Sequence, residues 1–144
     1  MIHVIRSSVI ALALFACTPA ADAAGETVTY RATLTGAGEV PANTTKGSGT
    51  ITATYDPASK LLSWTGSYSG LTGPATAAHF HGPADAKTNA GVLVPAPAPA
   101  SPFSGSATLD EAKAADLVAG KVYFNVHTAE NPKGEIRGQL EKAP

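Results

Sequence analysis

Thr27-Val28-Thr29-Tyr30-Arg31-Ala32-Thr33-Leu34 decides the fold, because Val28, Tyr30, Ala32 and Leu34 fall on one face and Thr and Arg on the other. A period of two marks a half-buried β-strand, in which successive side chains point to opposite faces. The pattern recurs along the chain. Gly49 to Tyr55 groups Ile51, Ala53 and Tyr55, Asp56-Pro57-Ala58-Ser59 reads as a type I turn, and Leu61 to Tyr68 returns as the second arm of a hairpin. Trp64 alternates with Leu62 in that arm, so at least partial burial is expected. Thr76 to His81, Ala90 to Val94, Phe103 to Thr108, Val122 to Thr128 and Glu135 to Leu140 bring the total to about eight short strands separated by turn signals. Such spacing predicts an all-β antiparallel sandwich or barrel.

Composition agrees. The 144 residues are 44% hydrophobic and 15% charged, which suits one compact domain and argues against a disordered chain. Lys and Arg (10) balance Asp and Glu (11), leaving no basic excess to neutralise nucleic-acid phosphates. Gly (14) and Pro (11) are frequent, as turns require, and Lys and Glu are too sparse for a helical bundle. One short helix of about three turns is expected over Leu109 to Ala119: Thr108-Leu109-Asp110-Glu111 matches a capping box and Gly120 can close the C-terminus. Pro95 to Pro102, with proline at every second position up to Pro99 and again at Pro102, predicts a polyproline II connector crossing between sheets.

Residues 1–23 read as a signal peptide. Arg6 precedes the apolar run Val9 to Ala16, which is too short to span a bilayer, and Ala21-Asp22-Ala23 supplies the small residues of a cleavage site before Ala24. The alternative uses Leu14-Phe15-Ala16-Cys17 as a lipoprotein box and leaves Cys17 lipidated as an anchor. Cys17 is the only cysteine, so on either reading no disulfide forms, and residues 24–144 must fold as a single exported domain, periplasmic or extracellular, on their core alone.

Three histidines remain after the leader. In His79-Phe80-His81 alternation sends both imidazoles to one face, about 6 to 7 Å apart at Cβ. In Val122 to Thr128 the residues Val122, Phe124 and Val126 share the core face and leave Asn125 and His127 opposite. If the two strands are neighbours, His79, His81 and His127 form a three-histidine site for Cu(II) or Zn(II). With Met1 as the sole methionine and no free thiol, a blue-copper or thioether copper centre is excluded. Glu135, Glu130 and Asp85, near these strands in sequence, are candidates for a fourth ligand or for supporting the histidines, and Asn125 and Arg137 are further candidates for support. The plainer readings are that His79 and His81 tie the Gly82-Pro83 turn to backbone carbonyls, that His127 bonds a carboxylate, and that Glu135 and Arg137 form an exposed ion pair. Nucleophilic catalysis finds no support, since Gly66-Ser67-Tyr68-Ser69-Gly70 has Tyr where a nucleophile elbow needs Ser. No phosphate-binding or dinucleotide fingerprint is present.

Leu34-Thr35-Gly36-Ala37-Gly38-Glu39-Val40-Pro41, Gly47-x-Gly49, Ala78 to Ala84, Val122 to Thr128 and Asn131-Pro132-x-Gly134-Glu135-Ile136-Arg137-Gly138-Gln139-Leu140 together resemble the CHRD domain, first described in chordin. The resemblance covers about residues 26–141. It implies an immunoglobulin-like or related Greek-key sandwich in a secreted protein, with no established enzymatic activity. His-x-His on a sandwich is also similar to copper-zinc superoxide dismutase, but three histidines cannot supply that family's bimetal site. The reading that results is a secreted, non-enzymatic binding module with a Cu or Zn site at His79, His81 and His127. Two others compete with it: a mononuclear metalloenzyme using an open coordination position, and a metal-free structural or adhesion domain.

Overall fold

The computed structural model describes residues 25–96 and 100–144. The segment expected to be a leader, with its expected cleavage site and Cys17, lies outside the described residues, as does the middle of the proline-rich run. Nine strands and one helix follow in the order β1 (Val28–Thr35), β2 (Ser48–Asp56), β3 (Leu61–Ser69), β4 (Ala75–His81), β5 (Val92–Ala96), β6 (Phe103–Thr108), α1 (Glu111–Val118), β7 (Tyr123–Thr128), β8 (Ile136–Gln139) and β9 (Glu141–Lys142). The ninth strand, which the sequence did not signal, is a two-residue extension that pairs with β1.

All pairings are antiparallel, in the order β5-β4-β7-β8-β1-β2-β3-β6. A single pair, Thr35 with Arg137, joins β8 to β1, and the sheet folds over without a β5–β6 pairing to close it. Trp64 of β3 meets Phe80 of β4 edge-on at 4.9 Å, and Phe103 of β6 stacks on Phe124 of β7 at 5.6 Å. Strands far apart in the hydrogen-bonded order are therefore face to face, so β5-β4-β7-β8 and β1-β2-β3-β6 form the two layers of a barrel-like sandwich. The β3–β4 and β5–β6 connections cross between layers, as Greek-key sandwiches require. Trp64 is buried at 4% exposure as the alternation demanded. Its ring lies over the backbone of β6 at Gly105, where any Cβ would come within 2.5 Å of Cζ2.

Three local expectations need correction. The helix is two turns long, and its cap is Asp110, whose side chain accepts from Lys113 N at 2.9 Å, not Thr108. Thr108 is the last residue of β6 and pairs with Leu61, so its backbone is committed to the sheet. Strand β5 starts later than expected and absorbs Pro95 and Ala96 from the proposed connector. Pro95 is tolerated because β5 ends the sheet, where a missing N–H breaks no second ladder. Finally, every residue of β7 is buried, on both faces. Phe124 and Val126 face the core, while Tyr123, Asn125 and His127 are covered by loops on the other side.

Candidate metal centre

Strands β4 and β7 are neighbours, in a register that places Ala77 opposite His127, His79 opposite Asn125 and His81 opposite Tyr123. Alternation puts His79 and His81 on the outer face, and Phe80 at 0% exposure fills the core between them. His127 lies one pair along β7 on the same face. Ligand nitrogens of His79, His81 and His127 consequently lie within 4.8 Å of one another. The sequence-level cluster is thus assembled, with His81 and His127 buried and His79 partly exposed.

Hydrogen bonding fixes the tautomers. His81 Nδ1–H donates to the Ala90 carbonyl at 3.0 Å and His127 Nδ1–H to the Pro132 carbonyl at 3.1 Å. A carbonyl oxygen only accepts, so both rings carry their proton on Nδ1 and present Nε2 as a lone-pair acceptor. His79 Nδ1 lies 3.1 Å from His127 Nε2 and donates to it. His81 Nε2 is buried with no hydrogen-bond partner. Burial lowers the pKa of all three rings. For His79 the neighbouring rings of His127 and His81 lower it further. For His81 and His127 the accepting carbonyls of Ala90 and Pro132 oppose the effect of burial without overcoming it. The imidazoles are held neutral, which is the form that binds a metal ion.

Arg137 and Glu135 do not form the exposed ion pair of the plainer reading. Both are fully buried, at 1% and 0% exposure, because loops close over the outer face of β7 and β8. The guanidinium of Arg137 lies 3.5 Å above the Tyr123 ring, which in turn stacks on His81 at 4.9 Å. It also donates to the carbonyls of Asp85 and Thr88 and to Asn89 Oδ1, all in the β4–β5 loop. That same loop supplies the Ala90 carbonyl that orients His81. Arg137 therefore reaches His81 by two routes, through a ring stack and through the loop.

Glu135 touches no histidine through a hydrogen bond. It accepts from Thr45 Oγ1, Thr72 N, Thr72 Oγ1 and Thr128 Oγ1, all within 2.8 Å. Burial alone would push its carboxyl up, but these donors overcome it and hold the group at about 2. Its place is beneath the loops, joining β1–β2, β3–β4 and β7. Asp85 caps its own turn by accepting from Lys87 N and Thr88 Oγ1, and Glu130 is exposed.

One residue escaped sequence reasoning. Glu39 follows the short 3-10 turn Gly36–Gly38 and is buried at 7% exposure against Asn125. Burial raises its pKa to about 7, against the opposing influence of Arg137, the Asn125 amide and the Val40 backbone. The available signal was a lone acidic residue between a glycine-rich turn and Val40-Pro41, in a segment otherwise without charge.

Fold and site together define an all-β sandwich domain with a covered, histidine-bearing outer face. A family model described as the CHRD domain matches residues 30–140, and the chain belongs to that family. No curated protein and no solved structure gives a significant match. Among the described residues no helix is long and apolar enough to cross a membrane.

Proposed function

We propose that this protein is an exported CHRD-domain binding module that holds one Cu(II) or Zn(II) ion on His79, His81 and His127. The observation that carries the reading is the bare, buried Nε2 of His81, beside two further imidazoles whose ligand atoms lie within 4.8 Å. An unpaired buried lone pair is costly unless something occupies it. Three neutral nitrogens without thiolate suit copper or zinc, and His79, being partly exposed, gives an ion a route in. His79 Nδ1–H must release His127 Nε2 as the ion enters. Arg137 would support His81 through Tyr123 and the Ala90 loop, and Glu135 would keep the surrounding loops closed.

Calorimetric titration of the metal-free protein with each ion at pH 7.5 tests this. One-to-one saturation is expected for the wild type, with large loss of affinity in His79→Ala, His81→Ala and His127→Ala. Protons compete for the same lone pairs, so affinity should decline at acidic pH, below the ordinary histidine range because burial lowers these pKa values. Absence of saturable binding would leave the metal-free adhesion reading. Export is tested by intact mass: a chain beginning at Ala24 supports removal of residues 1–23, and a lipid-bearing Cys17 supports the anchored alternative.

A further inference from the structure

Asn125 is the centre of the covered face. Register sets His79 directly across on β4 and Arg137 directly across on β8, with Tyr123 and His127 two residues away on its own strand. Its side chain is 97% buried, yet Oδ1 has no hydrogen-bond partner. The same is true of His81 Nε2, which rises from β4 on the same covered face. With the His81 proton fixed on Nδ1 by Ala90, two lone-pair atoms share a buried space with no donor between them. Such a pair repels unless a cation or a donor lies in that space.

Turning the amide over would cure the conflict, since Nδ2 could then donate to His81 Nε2. Glu39 opposes this. An amide stabilises an ionised carboxyl by donating its N–H, and favours a protonated imidazole by accepting with its oxygen. Asn125 Nδ2 and Glu39 Oε1 share the space beside Gly134, so the amide N–H meets the carboxyl and Oδ1 is left on the side of the imidazoles. Gly134, at φ +130°, makes the space for this arrangement. A Cβ there would stand 2.5 Å from Glu39 Oε1 and 2.6 Å from Asn125 Nδ2.

We infer that Asn125 supplies the fourth, oxygen, ligand of the three-histidine metal site, and that Glu39 is the positioning residue that turns the amide oxygen toward the imidazoles. The site is then N3O and closed on its inner side, with Glu39 behind Asn125 as the carboxylate partner of a ligand. This rests on the metal reading above and names the donor set it requires.

The experiment uses Cu(II)-loaded protein with asparagine labelled at the amide carbon with 13C. Electron-nuclear double resonance should show a 13C coupling in the wild type that vanishes in Asn125→Ala. Glu39→Gln should weaken or abolish it, because glutamine accommodates either amide orientation, and should lower Cu(II) affinity by roughly 10- to 100-fold in competition with a chelator. Asn125→Asp, which keeps an oxygen at that place, should retain more affinity than Asn125→Ala, which separates loss of a ligand from loss of the fold. If the wild type binds copper and His127→Ala does not, while no 13C coupling is seen or Glu39→Gln leaves both coupling and affinity unchanged, this inference fails and the three-histidine site stands. If the wild type binds neither copper nor zinc, both fail.

Discussion

The outer faces of the two layers are written in the same alternating code and end in opposite environments. On β1, β2 and β3, Thr33, Thr50, Thr65 and Ser67 alternate with core residues and remain exposed. On β4, β7 and β8, His81, Tyr123, Asn125, His127 and Arg137 also alternate with core residues, and all five are buried. Loops make the difference. The β1–β2, β4–β5 and β7–β8 connections fold over the second face and are tied down there. Arg137 holds the β4–β5 loop, Asn89 Nδ2 links that loop to the Val40 carbonyl, and Asn43 Nδ2 donates to the Glu135 carbonyl. Polar residues on the outside of a sandwich therefore have no fixed meaning. Under loops they must find partners, and three atoms that lack one, His81 Nε2, Asn125 Oδ1 and Glu39 Oε1, belong to the covered face around the site.

The largest effect expected concerns what the two layers share. Trp64→Ala should cost roughly 3 to 5 kcal/mol, since it empties the contact between β3 and Phe80. An unchanged midpoint in chemical denaturation would break the two-layer description itself.

Next is the clamp on the covered face. Arg137→Ala should cost about 2 to 3 kcal/mol by removing charge-assisted hydrogen bonds to two backbone carbonyls. Amide hydrogen exchange over residues 82–91 should accelerate, whereas β1 to β3 should keep their relative protection. Equal acceleration in both layers would show that Arg137 supports the whole fold and not this face.

A smaller effect separates the faces by pH. Glu39 has its pKa raised by burial to about 7, so the folded state binds a proton more readily than the unfolded chain. Its contribution to wild-type stability should grow as pH falls from about 7 toward the ordinary carboxylate range, and be lost as pH rises through 7. The stability of metal-free wild type relative to Glu39→Gln should shift in favour of the wild type by on the order of 2 kcal/mol between pH 8 and pH 5, a figure discounted for screening. The three histidines act in the opposite direction in both proteins and cancel in the difference. A pH-independent difference would mean that Glu39 is already ionised and solvated.

The smallest effect belongs to the open face. Thr65→Ala should change stability by less than about 1 kcal/mol, because the side chain is exposed and only strand preference is lost. A loss comparable to that of Arg137→Ala would indicate that this face, too, is covered by something.

Legibility in the sequence followed how local each determinant is. Alternation in β1 through β4 and β7 located the strands, the core face and the histidine pair, because a period of two is a property of a few adjacent residues. The helix cap was misread because Thr108 and Asp110 both satisfy a local rule, and only the pairing of Thr108 with Leu61 removes one of them. Pro95 was assigned to a linker because its tolerance in β5 depends on that strand lying at the sheet edge. Glu39 was missed because its partner, Asn125, is 86 residues away.

The sequence by itself determined an all-β domain, the face each histidine takes and a donor set without thiolate, since strand geometry and composition require nothing distant. Tertiary structure alone decided that β4 and β7 are neighbours in the register that gathers three imidazoles. It also decided that Glu135 and Arg137 are buried apart and that Glu39 lies against Asn125. These are contacts between segments far apart in the chain, set by how two layers close over a shared core and how loops cover one outer face. No periodicity within a segment encodes them.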